Sequence, residues 1–128
     1  MTMLLEEQAK ELLEAKANEI YIGDAGKGAR TSYARLKMRS FSATVAAAEE
    51  DCARVAGYLQ RRGDLLEETE QRLLIMTGSG MKNMNPTVVE LMLEGGMLQI
   101  TAWAKEGMIP QRSAEKAVKD CLNALRAD

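Results

Sequence analysis

The chain has 128 residues, enough for one domain whose core needs neither a metal nor a disulfide to hold it. It contains no histidine, which removes the commonest general base and the commonest transition-metal ligand, and two cysteines so far apart in the chain make neither a disulfide framework nor a zinc pattern. The net charge of −2 conceals one basic block: residues 25–48 carry five bases and no acid, against six acids and two bases in residues 1–24.

Aromatics make up 4% of the chain and prolines number two, while Met, Ala and Leu abound, a composition that favours helices. The amino terminus, MTMLLEEQAK, has no basic region and no apolar run of signal length. The longest apolar region is interrupted by Glu90, Glu94 and Gln99, which makes a poor membrane span. A cytoplasmic location with free thiols is expected.

Residues 3–20 have the pattern of an amphipathic helix, with Leu5, Ala9, Leu12, Leu13 and Ile20 on one face and Glu7, Glu11 and Glu14 on the other. Residues 22–30, IGDAGKGAR, read as a glycine-rich connector. A P-loop would need a glycine at Tyr21 and a hydroxyl at Gly28, and both are wrong.

Residues 32–62 carry apolar or small residues at Ala34, Met38, Phe41, Val45, Ala48, Cys52, Val55 and Leu59, spaced alternately by 4 and 3. This heptad pattern predicts one long helix with a seam packed lengthwise on another helix, in the same chain or in a second copy. Asp64 and Glu67 suit a capping box for a further helix through DLLEETEQRLLIM, and residues 77–85 read as a loop.

Residues 86–107 follow a good cap at Asn85 and have Pro86 at a tolerated first position. On a helical wheel Glu90, Glu94, Thr101 and Lys105 fall within about 60° of one another, and the rest is largely apolar. A mostly buried central helix with a thin wet stripe is expected, running straight through Gly95 and Gly96. The last helix, residues 111–126, puts Ala114, Ala117, Val118, Cys121, Leu122, Ala124 and Leu125 on one half of its wheel.

Few residues suggest chemistry. Cys52 and Cys121 lie on apolar faces and read as small hydrophobes. The basic block, Lys27, Arg30, Arg35, Lys37 and Arg39, opposes the dipole of the expected helix and calls for an anionic neighbour. That neighbour is either the acidic face of the first helix or an external phosphate, nucleic acid or acidic protein surface. Residues 97–126 could form a helix-turn-helix with Gln111, Arg112 and Ser113 at the start of the second helix, although a pI near 5.3 suits a nucleic-acid binder poorly.

The expected fold is therefore all-α, a single domain over 1–128: a five- to six-helix bundle with a central helix (86–107) and a long heptad-patterned helix (32–62). The expected function is a non-enzymatic helical interaction or assembly module, a homo-oligomer without cofactor, metal or catalytic residues. The seam Ala34 to Leu59 would be its packing surface. The alternative is a nucleic-acid or phosphate-binding protein that uses the 27–39 block or the helix-turn-helix.

Overall fold

The computed structural model describes residues 4, 6–20, 26–79, 85–106 and 112–126. In chain order its elements are α1 (Glu6–Ile20), α2 (Lys27–Ala34), β1 (Lys37–Ala46), α3 (Glu49–Gln60), β2 (Asp64–Glu68), β3 (Arg72–Ser79), β4 (Asn85–Glu94), β5 (Met97–Glu106) and α4 (Ser113–Arg126). The strands form one antiparallel sheet in the order β1-β5-β4-β3-β2. The architecture is three layers, with α1 and α2 on one face of the sheet and α3 and α4 on the other, so the all-α bundle is not the fold.

The central helix expected over 86–107 is the β4–β5 hairpin. Glu94 pairs with Met97 across a turn of Gly95 and Gly96, both with positive φ (59° and 78°), the conformation that a two-residue primed turn requires and that glycine adopts without strain. Both faces of these strands are covered. Val89, Leu91, Leu98, Ile100, Ala102 and Ala104 face α3 and α4, and Val88 and Trp103 face the α1 layer. A strand buried on two faces loses its polar alternation and reads as a continuous apolar run, which resembles a buried helix. The four stripe residues do share a surface, but it is the sheet face beneath α1. Glu90 opposes Thr101 directly, and Glu90, Thr101 and Lys105 are each 1% exposed.

The long helix expected over 32–62 is three pieces. α2 ends at Ala34, β1 follows, and α3 starts after Ala48, whose extended backbone (φ −80°, ψ 164°) closes the strand segment. Ser40-Phe41-Ser42-Ala43-Thr44-Val45 alternates with a period of two, and its β-branched and aromatic residues suit a pleated surface better than a helix. The heptad seam is consequently broken up. Met38 lies against the α1 layer, Ala43 and Val45 lie on the α4 side, and only Cys52, Val55 and Leu59 remain one helical stripe, the face of α3 that packs on the core. The helix expected after Asp64 is the β2–β3 hairpin, with Thr69 Oγ1 accepting the Arg72 N–H (3.1 Å) in its turn. Gly63 permits that return, because a Cβ there would collide with the Met76 carbonyl. Part of the expected connector over 22–30 is helix α2. Residues 22–25 and 80–84 lie outside the described residues.

The two outer helices agree with expectation. α1 buries Ala9, Leu13 and Ala17, and α4 buries Ala114, Val118 and Cys121. Ionic contacts tie the layers together. Lys105 Nζ, with its side chain fully buried, donates to Glu14 Oε1 of α1 (2.7 Å) and to the carbonyls of Tyr33 (3.5 Å) and Ala34 (3.3 Å) at the end of α2. Glu90 Oε2 accepts the Leu4 N–H (2.9 Å) and lies 2.9 Å from Arg72 Nε, an ion pair by distance whose N–H is not aligned for a hydrogen bond. Glu106 Oε1 accepts the Ser113 N–H at 2.7 Å and so caps α4 with a negative charge.

Candidate functional site

The two edges of the sheet are built differently. β2, at one end, is five residues long, has a register shift between Leu65 and Glu67, and carries Asp64, Glu67 and Glu68. Shortness, a bulge and charge are the devices that stop an edge from recruiting another strand. β1, at the other end, is ten residues long, pairs with β5 without a register shift, and contains no proline and no acid.

The register determines which groups β1 leaves open. The Ala47 N–H donates to the Gly96 carbonyl (3.0 Å), in line with the β1–β5 ladder. Antiparallel pairs alternate, so the odd residues from 37 to 45 turn their amides and carbonyls to β5, and Met38, Ser40, Ser42 and Thr44 turn theirs to the free edge. Phe41, 36% exposed, stands at the middle of the strand. Its side chain lies on the α3–α4 side of the sheet, with Ala43 and Val45.

Part of the basic block borders this edge. Lys27 and Arg30 are in α2, Arg35 follows it, and Lys37 and Arg39 are in β1. Lys27, Arg35, Lys37 and Arg39 are exposed, and none of them makes an ion pair among the described residues. Among the described residues no glutamate of α1 pairs with them, and Glu14 is paired with Lys105 instead.

The chain matches no protein-family model and no curated protein sequence.

The other residues singled out from the sequence are structural or dispersed. Residues 97–106 are β5, so no helix-turn-helix forms over 97–126. Burial pushes the Cys121 thiol up to about 12, with Asp120 adding to the effect. Burial also raises Cys52, and Asp51 and Glu49 add to it. Both thiols are held away from the reactive thiolate form. Among the described residues no three Cys, Asp or Glu side chains cluster as metal ligands would, and no helix is long and apolar enough to cross a membrane.

One concave site was not foreseen. A pocket of about 550 Å³ lies where α3, α4 and the Thr77–Thr87 end of the β3–β4 ladder meet. α3 contributes Tyr58, and Arg61 and Arg62 follow at its carboxyl end; α4 contributes Lys116 and Asp120. The sheet contributes Thr77 and Thr87, which are direct cross-strand partners. Elsewhere this face of β3 and β4 is apolar, with Leu73, Ile75, Val89 and Leu91. The Arg62 guanidinium lies 3.8 Å from the Tyr58 ring centroid and donates to the Tyr58 carbonyl at 3.2 Å. Burial, and then Asp120, hold the Tyr58 phenol above its usual range, while Arg62 opposes the rise. Only the register of β3 against β4 brings the two threonines together, so no local sequence pattern could announce the site.

Proposed function

We propose that the protein is a non-enzymatic assembly module that pairs with a second copy of itself through β1, joining two five-stranded sheets into one. The contrast between the edges carries this proposal: β2 is short, bulged and acidic, and β1 has neither bulge nor acid to oppose pairing.

The strand is also self-complementary. A two-fold axis normal to the sheet keeps both α3–α4 layers on one side and pairs residues of like parity. With Phe41 at the axis, Ser40 faces the partner's Ser42 and Met38 faces the partner's Thr44, so all four edge-facing residues on each copy are hydrogen-bonded. Phe41 then meets the partner's Phe41 as a non-hydrogen-bonded pair, in which side chains approach most closely. Lys37 and Arg39 fall opposite uncharged Val45 and Ala43. The two copies of Arg39 are then about 13 Å apart along the strands, beyond the screening length of about 8 Å at physiological salt. The arrangement is closed and uses one surface twice, as in most homodimers.

Amide hydrogen exchange resolved by residue tests the proposal. The amides of Met38, Ser40, Ser42 and Thr44 should gain protection as protein concentration rises, while the β5-facing amides of the odd residues stay protected throughout. Edge amides that exchange freely at every concentration would reject it.

The exposed Lys27, Arg35, Lys37 and Arg39, unpaired within the described residues, support a second reading, an acidic partner or nucleic acid bound beside the same edge. Its mark would be retention on a polyanion column that falls steeply with salt and is lost in Arg35→Ala/Arg39→Ala.

A further inference from the structure

The pocket between α3, α4 and the sheet plays no part in the pairing of β1, and its chemistry is specific. Among the described residues Arg61 and Lys116 have no carboxylate at ion-pair distance, and Arg62 is held in place by its contacts with Tyr58. Among the described residues Asp120 is the only acid in the lining, so three cations face one carboxylate. The α4 amino terminus is not needed to explain an anion here, because Glu106 already accepts its first amide.

The floor supplies an independent observation. Thr87 is 1% exposed, and its Oγ1 has no hydrogen-bond partner among the described residues. A buried hydroxyl with no partner is costly to keep in a face otherwise built from Val, Leu and Ile. Thr77, directly opposite, spends its own hydroxyl on the Thr87 carbonyl at 3.5 Å and does not satisfy it. Thr87 lines the pocket, so a turn of its side chain would let a ligand oxygen there accept the hydroxyl.

We infer that this pocket binds a small phosphorylated molecule, with the phosphate held among Arg61, Arg62 and Lys116 and one oxygen accepting the Thr87 hydroxyl. The balance of charge in the lining matches a dianion, which a phosphate monoester approaches at neutral pH. A volume of about 550 Å³ exceeds what phosphate alone fills, leaving room for an organic group beside Tyr58.

The test is a titration of the full chain by calorimetry with inorganic phosphate and with phenyl phosphate, against chloride at matched ionic strength. Saturable binding of both, several-fold tighter for the monoester, is expected. Phosphate alone binding, with no gain from the phenyl group, would overturn the assignment to an organic phosphate. A response equal to that of chloride would overturn the site altogether. Thr87→Val, which keeps shape and burial, should raise the melting temperature of the ligand-free protein and weaken phosphate binding about five- to ten-fold. Unchanged affinity in that variant would also overturn the inference. Lys116→Gln, at an exposed position of α4, should weaken binding several-fold without altering the fold, and unchanged affinity there would count equally against it.

Discussion

Lys105 is the largest fully buried side chain among the described residues. Its ammonium is removed from water and meets three oxygens, one on α1 and two at the end of α2. The partners are unequal, because the Glu14 side chain remains 37% exposed and can be rehydrated, whereas the lysine cannot. Glu14→Leu should therefore cost more than Lys105→Met: about 3–5 kcal/mol for an uncompensated buried charge, against a smaller loss when the charge itself is removed. Urea unfolding of the two variants measures the order, and a reversed order would show that water reaches Lys105.

Cys121 makes a second prediction at this scale. Its folded pKa, about 12, lies above its ordinary value of 9.0. Below 9 both states hold the proton and the contribution is fully present. Between 9 and 12 the unfolded chain releases the proton and the folded chain keeps it, so stability falls by about 1.4 kcal/mol for each pH unit. The difference between the wild type and Cys121→Ala across this range isolates that slope, and parallel curves would mean that the thiol is not buried.

At the scale of elements, the β4–β5 hairpin gives a test whose sign is decisive. Gly95 has φ 59° with open space around it, so an added methyl meets no neighbour and only the backbone conformation matters. In a left-handed turn Gly95→Ala costs about 1–2 kcal/mol, whereas in a helix the same change stabilises by about 1 kcal/mol. Thermal melts should show destabilisation.

The same hairpin explains what could be read beforehand. α1 and α4 each have one dry and one wet face, and their glutamates and lysines marked the wet one, so both were legible from periodicity. β4 and β5 are dry on both sides, and their few polar residues meet protein rather than water: Lys105 meets α1 and the end of α2, Thr101 meets Ser42 of β1, and one oxygen of Glu90 meets the Leu4 N–H and Arg72 of β3. The wheel aligned those three correctly as one face and misjudged what lay against it. Gly95-Gly96 flanked by Val-, Ile- and Thr-containing runs was a hairpin signal, and Ser40 to Val45 a strand signal, that heptad spacing obscured. The open edge and the Thr77–Thr87 pair were beyond any local pattern, because both depend on strand order and register.

At the scale of the whole molecule, helices cover both faces of the sheet and leave only its two ends. One end is closed by design of sequence: a five-residue strand, a bulge and three acids. The other presents a regular ten-residue strand whose bases sit toward one end, so an antiparallel copy brings uncharged residues opposite them. Pairing of β1 with the acidic β2 of another copy would generate an open filament, which the bulge opposes.

The most direct measurement of the central claim is the solution mass of the intact chain by light scattering, compared with Ser42→Pro. That proline removes an amide aimed at the free edge and leaves the β1–β5 ladder intact, so the fold should persist. Twice the chain mass at micromolar concentration for the wild type, falling to the monomer mass in a folded Ser42→Pro, is the predicted result. A wild type that stays monomeric, or a dimer that survives the proline unchanged, would contradict assembly through β1.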